Sequence, residues 1–149
     1  MVVNRQRRVA VNVGALNRFL QRARWELRFP RDGVAVQLIS DADMKRLNWK
    51  FRRKRGTTDV LSFPASPQEG ATDGSGRHAG GKGYRGDIAI SPERARRNAE
   101  REQRTLAEEL RILVLHGMIH LAGYDHETDQ GEMQTLEMTL RRRLGLPVP

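Results

Sequence analysis

No cysteine occurs in the 149 residues of this chain, which excludes disulfide staples and any metal centre built on thiolates. No hydrophobic run approaches the ~20 residues that a membrane-spanning helix needs. The first eleven residues are interrupted by Arg5, Arg7 and Arg8 and hold no apolar signal core, so the expectation is a cytoplasmic protein without membrane association. Acidic residues are scarce where basic ones are dense. Residues 1–65 hold 15 Lys/Arg against 5 Asp/Glu, and residues 66–149 hold 12 against 13, so the net charge of +9 belongs to the first half. A one-sided basic surface attracts polyanions and releases counterions on binding them, which makes nucleic acid the leading partner class. With 38% hydrophobic residues, the chain is long enough for one domain over 1–149 with its own core. It shows no internal repeat.

Histidine is also sparse, and three of the four fall between Leu115 and Glu127, in the run Leu-His-Gly-Met-Ile-His-Leu-Ala-Gly-Tyr-Asp-His-Glu. On a helix, His116 and His120 project from one face about a turn apart and can close on one metal ion. Gly123 ends the helix and permits a left-handed reversal that can return His126 as a third ligand. The spacing is that of the metzincin zinc signature H-E-x-x-H-x-x-G-x-x-H, with Gly117 where a protease keeps its glutamate base. A structural site would need a fourth protein ligand, for which Asp125, Glu127 or Asp129 is available; three ligands and an open position is the favoured reading. Zinc suits three imidazoles, and the spacing leaves nickel and copper open.

The periodicity predicts a strand over Arg8–Val13, then a helix Ala15–Phe29 with Leu16, Phe19, Leu20, Ala23 and Leu27 on its apolar face, stopped by Pro30. Val34–Ile39 is a near-continuous apolar strand suited to a sheet interior. Ser40 to Asp43 leads into a short helix through Phe51. The run Arg52-Arg53-Lys54-Arg55 forms a cationic loop able to hold phosphate, and Gly56-Thr57-Thr58 turns into a strand Asp59–Phe63 ended by Pro64. Ala65–Gly83 has no apolar periodicity and predicts a flexible loop, with His78 an exposed bystander. Gly86–Ser91 is a turn and short strand, and Ser91-Pro92-Glu93 opens a polar helix to about Gln103. Thr105 and Glu108 form a capping box heading a buried central helix Leu106–Ala122, within which Gly117 is expected to leave space for a bulky substrate. A terminal amphipathic helix Gln130–Leu144 turns Met133, Leu136, Leu140 and Leu144 inward and sets Arg141–Arg143 at the end where cations favour the helix dipole.

His-Gly-Met-Ile-His-Leu-Ala-Gly-Tyr-Asp-His at 116–126, Thr-Asp-Val-Leu-Ser-Phe-Pro at 58–64, Gly-Asp-Ile at 86–88, and Leu47-Asn48 with Phe51-Arg52 together resemble the YbeY family of bacterial endoribonucleases and rRNA maturation factors. The resemblance covers most of the chain. Arg55 and Thr57 depart from the Asp and Pro common in the family, and the 65–83 loop is longer than usual. What the resemblance implies is an α+β domain with a four-stranded, mostly parallel sheet packed on helices and a metzincin-like zinc cleft. It implies one zinc per chain on His116, His120 and His126, and a functional arginine at Arg52. It further implies a zinc-dependent endoribonuclease, a phosphodiester hydrolase cutting single-stranded RNA in 16S rRNA 3′-end maturation and ribosome quality control, with the small ribosomal subunit as partner.

The expected mechanism follows from an open metal position that brings a water to a pKa of ~7 without a glutamate base. Arg52 and the centre at His116 are the catalytic candidates, Arg52, Arg53, Lys54 and Arg55 the RNA contacts, and Asp125 the residue expected to orient a ligand. Water and the ribose 2′-hydroxyl both remain open as nucleophile. The rival readings are a zinc-containing ribosome assembly factor without catalysis and a metzincin-like peptidase, the latter weakened by the missing base.

Overall fold

A computed structural model describes residues 1–65, 83–125 and 127–149. The flexible loop expected over Ala65–Gly83, with His78, therefore lies almost wholly outside the described residues. The first strand is β1 (Val2–Asn4), paired parallel to β2 (Val34–Leu38) with Val2 opposite Val36. This corrects the strand expected over Arg8–Val13. There the Gln6 side chain folds back, accepting the Val9 N–H at 2.9 Å and donating to the Val9 carbonyl at 2.8 Å. One amide thus takes both backbone groups of a buried residue that a neighbouring strand would otherwise serve.

Helix α1 (Val13–Glu26) begins earlier than the apolar periodicity suggests, because Asn12 caps it by accepting the Ala15 N–H at 3.0 Å. Gly14 consequently lies in its first turn. The helix also ends before Phe29. Arg28 takes a left-handed φ of 58°, its N–H donates to the Trp25 carbonyl at 3.2 Å, and the Phe29 N–H donates to the Arg24 carbonyl at 2.9 Å. That pair of bonds is a Schellman termination, four residues ahead of Pro30.

Strand β2 occupies the interior position expected of its apolar run, in a four-stranded sheet. Strand β4 (Gly86–Ile90) pairs parallel to β2, and β3 (Val60–Pro64) pairs antiparallel to β4 as an edge strand, where a terminal proline sacrifices no interior ladder bond. The fold is thus α+β with a mixed, mostly parallel four-stranded sheet.

The two faces of the sheet are covered unequally. Val36, Leu38, Ile88 and Ile90 join the main core with α1 and α4 (Leu106–Leu121), whereas Leu61 and Ala89 join a smaller cluster with Ile39 and Met44. Helix α2 (Asp41–Arg52) is capped by Ser40, which accepts the Asp43 N–H at 3.1 Å. The loop that follows is tied down by the Thr57 hydroxyl, donating to Asp41 at 2.7 Å, and by the Asn48 amide, donating to the Gly56 carbonyl at 3.2 Å. Thr57 therefore gives this chain a polar anchor at a position where proline could donate nothing.

Helix α3 (Pro92–Arg101) starts on the Ser91 cap, with proline in its first turn. The Thr105–Glu108 capping box opens α4, whose residues Ile112 to Leu115 are all buried. Helix α5 (Glu132–Arg143) closes the fold with Met133, Leu140 and Leu144 buried. Arg142 and Arg143 stay at the surface end expected of them, but Arg141 turns inward and is only 9% exposed.

Candidate metal centre

Because α4 is apolar around most of its circumference, it is held rigidly between sheet and helices, and its C-terminal turn presents His116 and His120 together. Their Nε2 atoms are 3.2 Å apart, with the rings edge to face at 82°. Both Nδ1 atoms are already engaged. His116 Nδ1 meets a Glu137 carboxylate oxygen at 2.6 Å, and His120 Nδ1 meets the Tyr124 carbonyl at 3.1 Å. A carbonyl or carboxylate oxygen can only accept, so each Nδ1 is the donor, which leaves the two Nε2 atoms facing each other. Two lone pairs so close repel unless a proton or a cation lies between them. In a tetrahedral zinc shell with Zn–N bonds of 2.0–2.1 Å, neighbouring nitrogens stand about 3.3 Å apart, so the pair fits two corners of such a shell.

The turn after α4 forms as the sequence predicts. Gly123 adopts φ 100°, its N–H donates to the His120 carbonyl at 2.9 Å, and the Tyr124 N–H donates to the Ile119 carbonyl at 3.3 Å. This reversal is what lays the Tyr124 carbonyl on His120 Nδ1. His126, the expected third ligand, lies outside the described residues, and among the described residues no group of three ligating side chains converges. Asp125 is in the same loop, where its carboxylate accepts the Glu127 N–H at 3.0 Å and its carbonyl accepts from Thr128 and Asp129.

Glu137 is the residue at this candidate centre that sequence reasoning missed. It lies 21 positions from His116 and bonds simultaneously to His116 and, at 2.7 Å, to Arg141 Nη2. Burial pushes its carboxyl up, and the hydrogen bond and charge of His116 together with Arg141 outweigh that, holding it below the usual carboxylate range. The one sequence signal is positional: Glu137 falls four residues after Met133 and three before Leu140, on the stripe that faces inward. Glu137→Gln is expected to weaken metal binding by about 10- to 100-fold, the usual result of losing the partner that orients a ligating imidazole. It should also destabilise the fold by up to about 3–5 kcal/mol, because Arg141 is left buried without its countercharge. Competition with a chromogenic chelator and urea unfolding check the two effects separately.

Gly117 does not leave space for a substrate, contrary to expectation. A Cβ there would stand 2.9 Å from Ile88 Cδ1 and 3.0 Å from Ile88 Cγ2, so glycine lets α4 press against β4. The Ser62 hydroxyl donates to the Gly117 carbonyl at 3.3 Å from the edge strand. Gly117→Ala is expected to lower stability by about 1–3 kcal/mol from overpacking, reduced by the ~1 kcal/mol that alanine gains in helix propensity. A thermal melt that rises instead would contradict the packing role.

The basic segment lies across the edge strand from the histidines. Along β3, Ser62 faces α4 while Phe63 faces the α2 side, where Phe51 packs edge-on at a centroid distance of 5.1 Å. Arg52 follows Phe51 as the exposed last residue of α2. Arg53 caps α2 at φ 53° with its guanidinium 5.6 Å from the Trp49 ring, and Lys54 and Arg55 extend into solvent. A cleft of about 410 Å³ is lined by His116, Glu137, Arg141 and Arg104, among others.

Fold and site together define an α+β domain that carries a paired-histidine centre, buttressed by a carboxylate, at the end of a buried helix. A model of the family described as endoribonuclease YbeY matches residues 3–145. Endoribonuclease YbeY of Koribacter versatilis is 44% identical over 147 residues, spanning 99% of this chain and 87% of that one. Its counterpart in Solibacter usitatus is 42% identical over 135 residues, spanning 89% and 80%. The solution structure of TM1509 from Thermotoga maritima matches with a TM-score of 0.57 at 26% identity, covering 97% of this chain and 89% of that one. The chain belongs to the YbeY family.

Proposed function

We propose that this protein is a zinc-dependent endoribonuclease that cuts single-stranded RNA, acting in 16S rRNA 3′-end maturation and ribosome quality control in the cytoplasm. Membership in a family whose curated relatives are named endoribonucleases supports the RNA substrate. The observation that carries the metal is the convergence of two Nε2 atoms at 3.2 Å while both Nδ1 atoms are committed elsewhere. His116, His120 and His126 would hold one zinc, which when bound supplies Lewis acidity to the phosphoryl group and to the attacking water. Glu137 fixes the tautomer and tilt of His116, the Tyr124 carbonyl does the same for His120, and Asp125 shapes the loop that leads to His126. Arg52 stabilises the charge that develops on the phosphoryl oxygens. Arg53, Lys54 and Arg55 bind flanking phosphates and bring RNA in along the basic half of the molecule.

Purified protein is expected to hold about one zinc per chain and to cleave a single-stranded RNA in a chelator-sensitive way. Intact RNA with zinc demonstrably bound would instead favour a ribosome assembly factor whose metal only fixes the fold. Lys54→Ala, one phosphate contact among several, should lower the slope of log affinity against log salt by ~0.7–1 and leave the single-turnover rate at saturating RNA unchanged.

A further inference from the structure

Away from the histidine centre, the C-terminal end of α1 carries a constellation that the proposed chemistry does not use. Trp25 is 75% exposed, the most open large hydrophobic side chain among the described residues. Two grooves share Trp25 and Arg24 among their lining residues. One, of about 660 Å³, adds Arg28, Phe29, Pro30 and Arg85, and the other, of about 390 Å³, adds Arg22 and Arg143. The single carboxylate among these described lining residues is Glu26, and Arg143 already engages it at 3.0 Å. Neither groove shares a described lining residue with the cleft at His116.

The arginines are positioned, not merely near. Arg24 Nε donates to Gln21 at 2.8 Å, and its Nη1 donates to the Phe29 carbonyl at 3.4 Å. Arg85 lies 5.4 Å over the buried Phe29 ring, and its backbone N–H donates to the Gly33 carbonyl at 2.7 Å. Arg28 occupies the left-handed position of the Schellman turn, where glycine would fold with less strain. A bulky cation at a position that favours glycine points to a use for its side chain.

An exposed aromatic plane flanked by guanidinium groups on both sides is the arrangement that binds single strands: the ring stacks a base, and the cations meet the phosphates before and after it. We propose that this end of α1 is a second RNA-binding site, with one unpaired base on Trp25 and the flanking phosphates on Arg22 and Arg143 to one side and Arg24, Arg28 and Arg85 to the other. The choice of RNA as the polyanion rests on the proposed function, but the site is tested by binding alone. Duplex RNA offers no free base face and is excluded by the same chemistry.

In a Trp49→Phe background Trp25 is the only indole, and its fluorescence reports the site directly. A single-stranded 2′-O-methyl RNA 12-mer, shown by gel to stay intact, is expected to quench it saturably, and a duplex of equal length is not. By anisotropy of the labelled 12-mer, Trp25→Ala should weaken binding about 5- to 100-fold, and Trp25→Phe should recover most of the loss. Arg28→Ala and Arg85→Ala should each lower the salt slope by about 0.7. Unchanged affinity in Trp25→Ala, equal quenching by duplex, or a response to phosphatidylglycerol vesicles in place of RNA would each overturn the proposal. A zinc-loaded wild-type chain that bound in this way and left unmodified single-stranded RNA uncut would sink the nuclease reading and leave the site standing.

Discussion

His120→Ala is expected to purify without metal and to cleave single-stranded RNA no faster than the chelated wild-type protein. His120 contributes one of the two nitrogens that stand 3.2 Å apart, and its ring is held in place by the carbonyl of Tyr124 through the turn at Gly123. Removing it leaves at most two imidazoles of the proposed three, too few to retain zinc with an open position for chemistry. The loss must exceed the about 10- to 100-fold expected for Glu137→Gln, which spares every proposed ligating atom and acts on metal binding through the orientation of His116. The fold should survive, because His120 is half-buried at the last turn of α4 and, apart from Leu121, the core residues of that helix lie before it. Elemental analysis, far-UV circular dichroism and a cleavage time course on one preparation distinguish these outcomes. A folded, zinc-loaded variant that still cuts RNA would remove His120 from the centre.

Arg52→Ala should keep its metal and its fold and lose about 10²- to 10³-fold in single-turnover rate at saturating RNA, the usual contribution of one donor aimed at developing oxyanion charge. Arg52 is exposed at the end of α2, so its truncation creates no cavity and strands no buried partner. It follows Phe51, whose ring packs on Phe63 of the edge strand, and the preceding residue of that strand, Ser62, donates to the Gly117 carbonyl of α4. A wild-type rate with weakened affinity would reduce Arg52 to a binding residue like Lys54. Since Lys54→Ala is expected to alter the salt slope and Arg52→Ala the chemical step, measuring both variants on one substrate separates attraction from catalysis.

What the sequence determined by itself is local. The caps at Ser40, Ser91 and Thr105, the reversal at Gly123 and the shared face of His116 and His120 each depend on residues within four positions of one another, where helix geometry leaves little choice. The near-continuous apolar run of β2 and the unbroken Ile112–Leu115 run of α4 likewise announced their burial, since apolar side chains leave water whatever packs over them. Gln6 shows where local reading stops: the periodicity of Arg8–Val13 suits a strand, but a side-chain amide three residues from Val9 took its backbone bonds and left Val2–Asn4 to pair with β2. Gly117 and Glu137 depended wholly on tertiary contact. Whether a helical glycine clears a substrate or a strand is decided by Ile88, 29 residues earlier, and which carboxylate steadies His116 is decided by α5 docking against α4. Spacing constrains neighbours along one element, whereas the partner of a side chain across two elements is settled only when the core they share has closed.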